Sequence, residues 1–285
     1  MKIFARKISK NIMNSSDGFS YFKTKSYPED RVEFTSYFKP KTNLWQKFRN
    51  IIGLRTKLNP KSFSDATYKP KGQYIASRQS VNLSDEYIKS NCLMENEKII
   101  DGFRDAGSNA VFDNFANVIK TNREVITIDR NLDSYLSNAI NYVKANTYNL
   151  SEEKKIKFVY NLVHDISGDF YNGATKADML GKAYKGKEIL LGQIFEDGAA
   201  TCRHKALMFK ILAEEAGIKT RLLRGVAGDL QGIGGHAWNE VKMQNGKKML
   251  VDVQNSRIIE ISSKSLKKHA ELALYMNKYN EQIYK

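Results

Sequence analysis

Three residues in this chain have the types and the order of a thiol acyl-transfer site. Cys202 lies in Ala199-Ala200-Thr201-Cys202-Arg203-His204-Lys205-Ala206-Leu207, His236 in Gly235-His236-Ala237-Trp238, and Asp252 in Val251-Asp252-Val253. A thiol becomes a nucleophile once deprotonated, an imidazole can take that proton and later return it to a leaving amine, and a carboxylate can fix the imidazole tautomer.

The surroundings of each residue sharpen this reading. After Cys202 the apolar residues Ala206, Leu207, Phe209, Leu212, Ala213 and Ala216 recur at helical spacing, and Gly217 supplies a stop. Cys202 therefore falls in the first turn of a helix, where unpaired N–H groups and the positive end of the helix dipole favour a thiolate. His204 is two residues on, about 200° around that helix, and so points away from the thiol. Around His236 the period changes to alternation from Ala237 to Met243; Asn245-Gly246 reads as a turn, and alternation resumes from Lys248 to Val253.

His236 and Asp252 thus stand at the outer ends of a β-hairpin. Its register is constrained, because opposed residues in an antiparallel pair have positions of constant sum. A two-residue Asn-Gly turn gives an odd sum and splits both the apolar set and the His–Asp pair between faces. An even sum puts Ala237, Val241, Met243, Met249, Val251 and Val253 on one face and His236, Trp238, Leu250 and Asp252 on the other. A loop from Asn245 to Lys247 would still leave Asp252 opposite Glu240, about 13 Å along the strand from His236. A wider turn or a bulge is expected to slide the two together.

Each residue alone has a plainer explanation: a lone helical Cys is usually a buried small hydrophobe, and a His beside Trp is usually structural. It is the joint pattern that points to chemistry. Gly198-Ala199-Ala200-Thr201-Cys202-Arg203-His204-Lys205-Ala206, Gly217-Ile218, Arg221-Leu222-Leu223-Arg224-Gly225, His236-Ala237-Trp238-Asn239-Glu240-Val241 and Val251-Asp252-Val253 together resemble the transglutaminase-like cysteine hydrolase superfamily. The stretch from Cys202 to Lys210 is especially similar to the peptidase-like domain found ahead of plant Raf-type kinases. The resemblance spans roughly residues 150–260. It implies a papain-related α+β fold with the nucleophile helix packed on an antiparallel sheet. It also implies a Cys-His-Asp amide-bond enzyme: a peptidase, protein deamidase or transglutaminase acting on a protein or peptide. Some members of the superfamily lack activity, so an inactive interaction module on the same scaffold is one alternative; a basic adaptor whose N-terminal extension binds membrane is the other.

Further site candidates follow. Gln193 has a side-chain amide suited to an oxyanion, though it equally fits a solvated loop. Trp238 lines a substrate channel, shields the His–Asp pair, or packs in the core. Arg203 and Glu240 either bind substrate or are exposed charge. Gly235, with Gly232 and Gly234, gives a substrate backbone room. The chain has four His, scattered, and no Cys-x-x-Cys, so no metal and no cofactor are expected.

With 285 residues and 41% hydrophobic content, the chain can bury a sizeable core. Two cysteines exclude a disulfide framework. No run approaches the roughly 20 apolar residues of a membrane span, and charges interrupt the first ten residues where a signal peptide needs its apolar stretch. A cytoplasmic location, or delivery into a host cytosol by a specialised secretion system as a bacterial effector, is expected.

The net charge of +15 is uneven: residues 1–80 hold 17 Lys/Arg against 5 Asp/Glu, and all 4 prolines. These residues read as an irregular basic extension ahead of a catalytic domain at 81–285. Within the extension, residues 45–58 form a basic amphipathic stretch that suits an anionic membrane or a partner's groove, or packs on the catalytic domain. Nucleic acid has only the charge in its favour. Helices are expected at Ala110–Lys120, Leu132–Ala145, Glu152–Phe170 with Ser151 as cap, and Ser265–Asn280 after a cap at Ser262 or Ser263. Gly173–Gly192 reads as a loop-rich stretch over the site.

Overall fold

The computed structural model describes residues 98–107, 110–112, 118–167, 170–229, 232–276 and 282–284. The basic extension, the amphipathic stretch at 45–58 and Cys92 lie outside the described residues.

The fold is α+β, with a small sheet, a separate strand pair, a larger antiparallel sheet and α-helices among the described residues. The small sheet contains β1 (Arg104–Asp105), β4 (Val125–Thr127) and β5 (Glu188–Leu190) in the order β1-β4-β5, with β4 and β5 parallel. Strands β2 (Val111–Phe112) and β3 (Val118–Lys120) form a separate antiparallel pair. A helix expected at Ala110–Lys120 is thus replaced by strands, whose β-branched Val111, Val118 and Ile119 suit that backbone better.

Helix α1 (Ser134–Thr147) begins at Asp133, whose carboxylate accepts the Leu136 N–H at 2.9 Å. Helix α2 (Glu152–Ile166) begins after Ser151 as expected, but the Ser151 side chain makes no cap hydrogen bond. Glu152 and Glu153 in its first turn complement the helix dipole. The stretch expected to be loop-rich instead forms α3 (Phe170–Ala183), β5 and the short α4 (Leu191–Glu196). Its glycines disguise a run of good helix formers, in which Leu180 is fully buried and Lys182 pairs with Asp178 at 2.8 Å.

Helix α5 (Cys202–Glu215) packs against the large sheet of β6 (Thr220–Asp229), β7 (Gly232–Lys242), β8 (Lys248–Asp252) and β9 (Arg257–Ile261), all antiparallel in sequential order. The β7–β8 register has an even sum, from Asn239↔Val251 to Lys242↔Lys248. It sorts the side chains as the alternation requires. Ala237, Val241, Met243, Val251 and Val253 join the main core with α5, while Trp238 and Leu250 join a second cluster on the opposite face.

That second face is covered by the C-terminal segment. Helix α6 (Ser263–Lys268) is capped by Ser262, which accepts the Ser265 N–H, and it ends where His269 leaves helical backbone. A tight helical turn at Ala270–Leu274 follows, in place of one helix running on to Asn280. The chain then extends. Met276 exchanges backbone hydrogen bonds with Val226 at 2.9 and 2.8 Å, and Gly225 leaves the space that the Met276 carbonyl occupies. Leu272, Tyr275 and Tyr284 are buried there against Leu223 and Trp238.

Gly192 and Gly181 make a test of the packing. A Cβ on Gly192 would collide with Asp133, the cap of α1, whereas a Cβ on Gly181 meets only Glu124 Oε2 at 3.8 Å. Gly192→Ala is expected to cost about 1–3 kcal/mol by overpacking, and Gly181→Ala, inside α3, to add roughly 0.5–1 kcal/mol. Denaturant unfolding of both variants measures the difference.

Candidate active site

The first turn of α5 is held by buried charge. His204 Nδ1 accepts the Thr201 N–H at 3.0 Å, so its proton sits on Nε2, which donates to Glu124 Oε1 at 3.0 Å. Arg203 Nη2 donates to the carbonyls of Glu124 at 3.0 Å and Asp105 at 3.2 Å, and lies 3.3 Å from Glu124 Oε1. Burial alone would raise the Glu124 pKa, but the His204 hydrogen bond and the Arg203 charge outweigh it and hold it at about 2. Burial keeps His204 below its ordinary value, hence neutral. Arg203 therefore is not on a substrate surface: it is 5% exposed and ties the helix start to the small sheet.

The hairpin delivers the other two groups. Met243 N donates to Lys247 O at 2.8 Å, which closes a three-residue loop with Gly246 at φ +82°. The loop sits one residue earlier than a turn over Asn245–Lys247, and neither a wider turn nor a bulge is needed. In this register Asp252 falls opposite Trp238, two residues and about 7 Å from His236. Both side chains occupy the same face, and the diagonal gap is one that they span. His236 Nε2 lies 2.7 Å from Asp252 Oδ2.

The thiol of half-buried Cys202 hydrogen-bonds to the His236 ring and also takes a hydrogen bond from the Ala237 backbone. Since Nε2 is turned to Asp252, Nδ1 is the ring nitrogen left for the thiol. Cys202, His236 and Asp252 are thus brought into one hydrogen-bonded chain.

The electrostatics follow from that chain. Burial opposes ionisation of Cys202, but the His236 hydrogen bond and charge, with the Ala237 N–H, lower its pKa. Burial likewise opposes the imidazolium, but hydrogen bonds to Asp252 and Cys202 and their charges raise His236 to about 10. Asp252 is fully buried; burial pushes it up, and hydrogen bonds from His236, Tyr275 and Asn255 bring it below the ordinary carboxylate value. Both shifts favour a thiolate beside an imidazolium.

The other residues singled out in the sequence have these surroundings. Trp238 has no exposed surface, so it lines no substrate channel; it stacks on His236 at 5.9 Å and 14° and donates Nε1–H to Tyr284 Oη at 3.0 Å. Gln193 lies on α4 and donates its amide to Asp197 Oδ2 at 3.0 Å. Glu240 is buried, not exposed, with Arg221 at 3.3 Å. Gly234 and Gly235 are exposed, and the position of an added Cβ is open at each.

Three contributors escape a reading of the motif alone. Asn255 donates its backbone N–H to Asp252 Oδ1 at 3.0 Å and its amide to Oδ2 at 2.9 Å. The spacing of Asp252 and Asn255 just after a strand is a turn signal that could have found it. Tyr275 donates to Asp252 Oδ2 at 2.6 Å from the C-terminal segment, and no local signal marks it. Lys205, one turn from Cys202, is a buried cation whose pKa is depressed by burial and supported by the charges of Cys202 and Asp252.

Among the described residues no cluster of His, Cys, Asp and Glu could hold a metal, and no helix is long and apolar enough to cross a membrane. A family model described as EDR1/CTR1/ARMC3, peptidase-like, matches residues 79–256. No curated protein matches the chain.

Two measurements test the electrostatics. Cys202 alkylation by iodoacetamide, read by mass spectrometry, is expected to stay fast below the ordinary thiol value of 9.0. Asp252→Asn should return it towards an ordinary thiol profile. Glu124 gives a stability test. A folded pKa of about 2 against 4.5 means that the stabilisation is present above about pH 4.5 and lost as pH falls towards 2. At about 1.4 kcal/mol per unit, the fall of roughly 2.5 units corresponds to about 3 kcal/mol. Glu124→Gln should unfold more easily at neutral pH and lose that part of the acid dependence, as denaturant titrations at several pH values would reveal.

Proposed function

The chain belongs to the EDR1/CTR1/ARMC3 peptidase-like family, and from that premise we propose that it is a cysteine-dependent amide-bond enzyme acting through Cys202, His236 and Asp252. The observation that carries the proposal is the continuous hydrogen-bond chain from the Cys202 thiol through His236 to Asp252.

In the proposed reaction the Cys202 thiolate attacks the carbonyl carbon of a protein or peptide amide, forming a C–S bond while the carbonyl π electrons move to oxygen. With the His204 N–H taken by the Thr201 side chain and the Lys205 N–H by the Thr201 carbonyl, the N–H groups of Cys202 and Arg203 are the candidate donors to that oxyanion. His236 then gives its Nδ1 proton to the amide nitrogen, the C–N bond breaks, and an acyl-thioester remains. An incoming water or amine loses a proton to His236 and attacks the thioester, and the thiolate departs. Asp252 holds the proton of Nε2 throughout and balances the imidazolium charge. Exposed Gly234 and Gly235 ahead of His236 leave room for the substrate backbone beside the thiol.

Water with a backbone amide gives peptide hydrolysis, water with a side-chain amide gives deamidation, and an amine gives transamidation. The acyl-enzyme is common to all three. Candidate substrate proteins incubated with wild type and with Cys202→Ala, then compared by mass spectrometry, separate them. New chain termini mean proteolysis, the small mass gain of amide-to-acid conversion means deamidation, and a covalent crosslink means transamidation. Cys202→Ala is expected to abolish the product, and Asp252→Asn to slow its formation by about a hundredfold or more. A product formed equally by Cys202→Ala would sink the proposal.

A further inference from the structure

Asp252 Oδ2 is shared by three donors, and the one from Tyr275 comes from the segment after β9. His236 Nε2 is at 2.7 Å, Tyr275 Oη at 2.6 Å and Asn255 Nδ2 at 2.9 Å. The direction of the tyrosine hydrogen bond is fixed by its other partner. Arg257 Nη1 lies 3.1 Å from Tyr275 Oη, and a guanidinium can only donate. The tyrosine oxygen therefore accepts from Arg257, and its single hydrogen is left for Asp252. Burial and the neighbouring Asp252 raise the Tyr275 pKa, so the phenol stays protonated and remains a donor.

The ring is as well anchored as the hydroxyl. Tyr275 has no exposed surface, meets Trp238 edge-on at 5.0 Å and Tyr284 at 6.0 Å, and sits at 6.3 Å from the His236 ring. Its neighbour Met276 is paired with Val226 on β6. One segment thus closes the sheet edge, covers the face that carries His236 and Asp252, and donates a hydrogen bond to the carboxylate. The stretch matched by the family model ends at residue 256, so Tyr275 lies beyond it.

We propose that Tyr275, delivered by the C-terminal segment and directed by Arg257, is a positioning residue of the site: it fixes the Asp252 carboxylate so that Oδ2 faces His236. This rests on the acyl-transfer reading of Cys202, His236 and Asp252. Without the hydroxyl, Asp252 keeps a weaker set of donors and can rotate, and the imidazolium that supports the thiolate loses part of its counter-charge. The charged and titratable groups in range of Asp252, besides Tyr275 itself, are Cys202 and Lys205 on α5, Tyr160 on α2, His236 on β7, Arg257 on β9 and Tyr284 in the C-terminal segment. All of them are kept in Tyr275→Phe and in the fluorinated protein, and Tyr284→Phe changes Tyr284 alone.

The readout is the pH profile of Cys202 alkylation, followed in the full chain with iodoacetamide. Tyr275→Phe keeps the ring packing and is expected to move the acid limb of the profile up by about one pH unit, equivalent to about tenfold in the protonation equilibrium. A fluorinated tyrosine incorporated in place of Tyr275 is a stronger donor with the same packing, and should move the limb down. A purely structural role predicts a lower melting temperature for Tyr275→Phe with the limb unmoved, and no effect of fluorination. Tyr284→Phe, which removes the hydroxyl partner of Trp238 but not a donor to Asp252, should leave the limb at its wild-type position. If Tyr275→Phe fails to fold, the fluorinated protein decides alone. Limbs that coincide in all variants while wild-type Cys202 keeps a depressed profile overturn the role of Tyr275 and leave the acyl-transfer reading standing. A wild-type Cys202 no more reactive than an ordinary thiol overturns both.

Discussion

Asp252 is a carboxylate with no exposed surface, and a buried charge survives only where partners replace the water it has lost. Here the replacement is complete enough to favour the charged form. His236, Tyr275 and the Asn255 amide reach one oxygen, and the Asn255 backbone reaches the other. Each donor comes from a different part of the local structure. His236 requires the β7–β8 register, Asn255 requires the turn after β8, and Tyr275 requires the C-terminal segment to lie back over the sheet. The carboxylate thus couples the hairpin, the turn and the final segment into one arrangement.

The thiol is positioned from the opposite direction. Cys202 starts α5, and the residues that follow it hold the helix rather than the substrate: Arg203 and His204 converge on Glu124 just before β4. Asn239 completes the link by donating to the carbonyls of Ala206 on α5 and Arg221 on β6, at 3.1 and 3.3 Å. The same tripeptide that supplies the nucleophile therefore supplies its own anchor, which explains why polar residues at these positions are buried.

The α+β class, the start of the Cys202 helix and the hairpin register were legible in the sequence; the elements between residues 110 and 192 were less so. Period-2 alternation in β7 and β8 demanded an even register, because any odd register would split an apolar face, and that constraint alone put His236 and Asp252 on one side. Helical spacing after Cys202 placed the thiol in a first turn. Where the pattern misled, long-range partners were responsible. Arg203 and Glu240 look like surface residues until Glu124 and Arg221 are brought beside them. Glycines at 173, 181 and 192 suggested a loop, although Gly192 is required by the close approach of Asp133. Tyr275 carries no sequence signal, since its role depends on a segment folding back across the sheet.

The two anchoring systems meet at the thiol and the imidazole. Cys202 is fixed to the small sheet through Glu124, and His236 to the second core through Asp252 and Trp238. Their hydrogen bond consequently depends on how α5 sits on β6 and β7, which is where Asn239 and the buried Lys210, donating to the Thr220 carbonyl at 2.8 Å, fasten the layers together. These polar contacts are embedded in an otherwise apolar interface, where an unpaired partner would be costly. They admit few alternative placements of the helix, and so a non-directional hydrophobic core acquires the fixed registry that a thiolate–imidazolium pair needs.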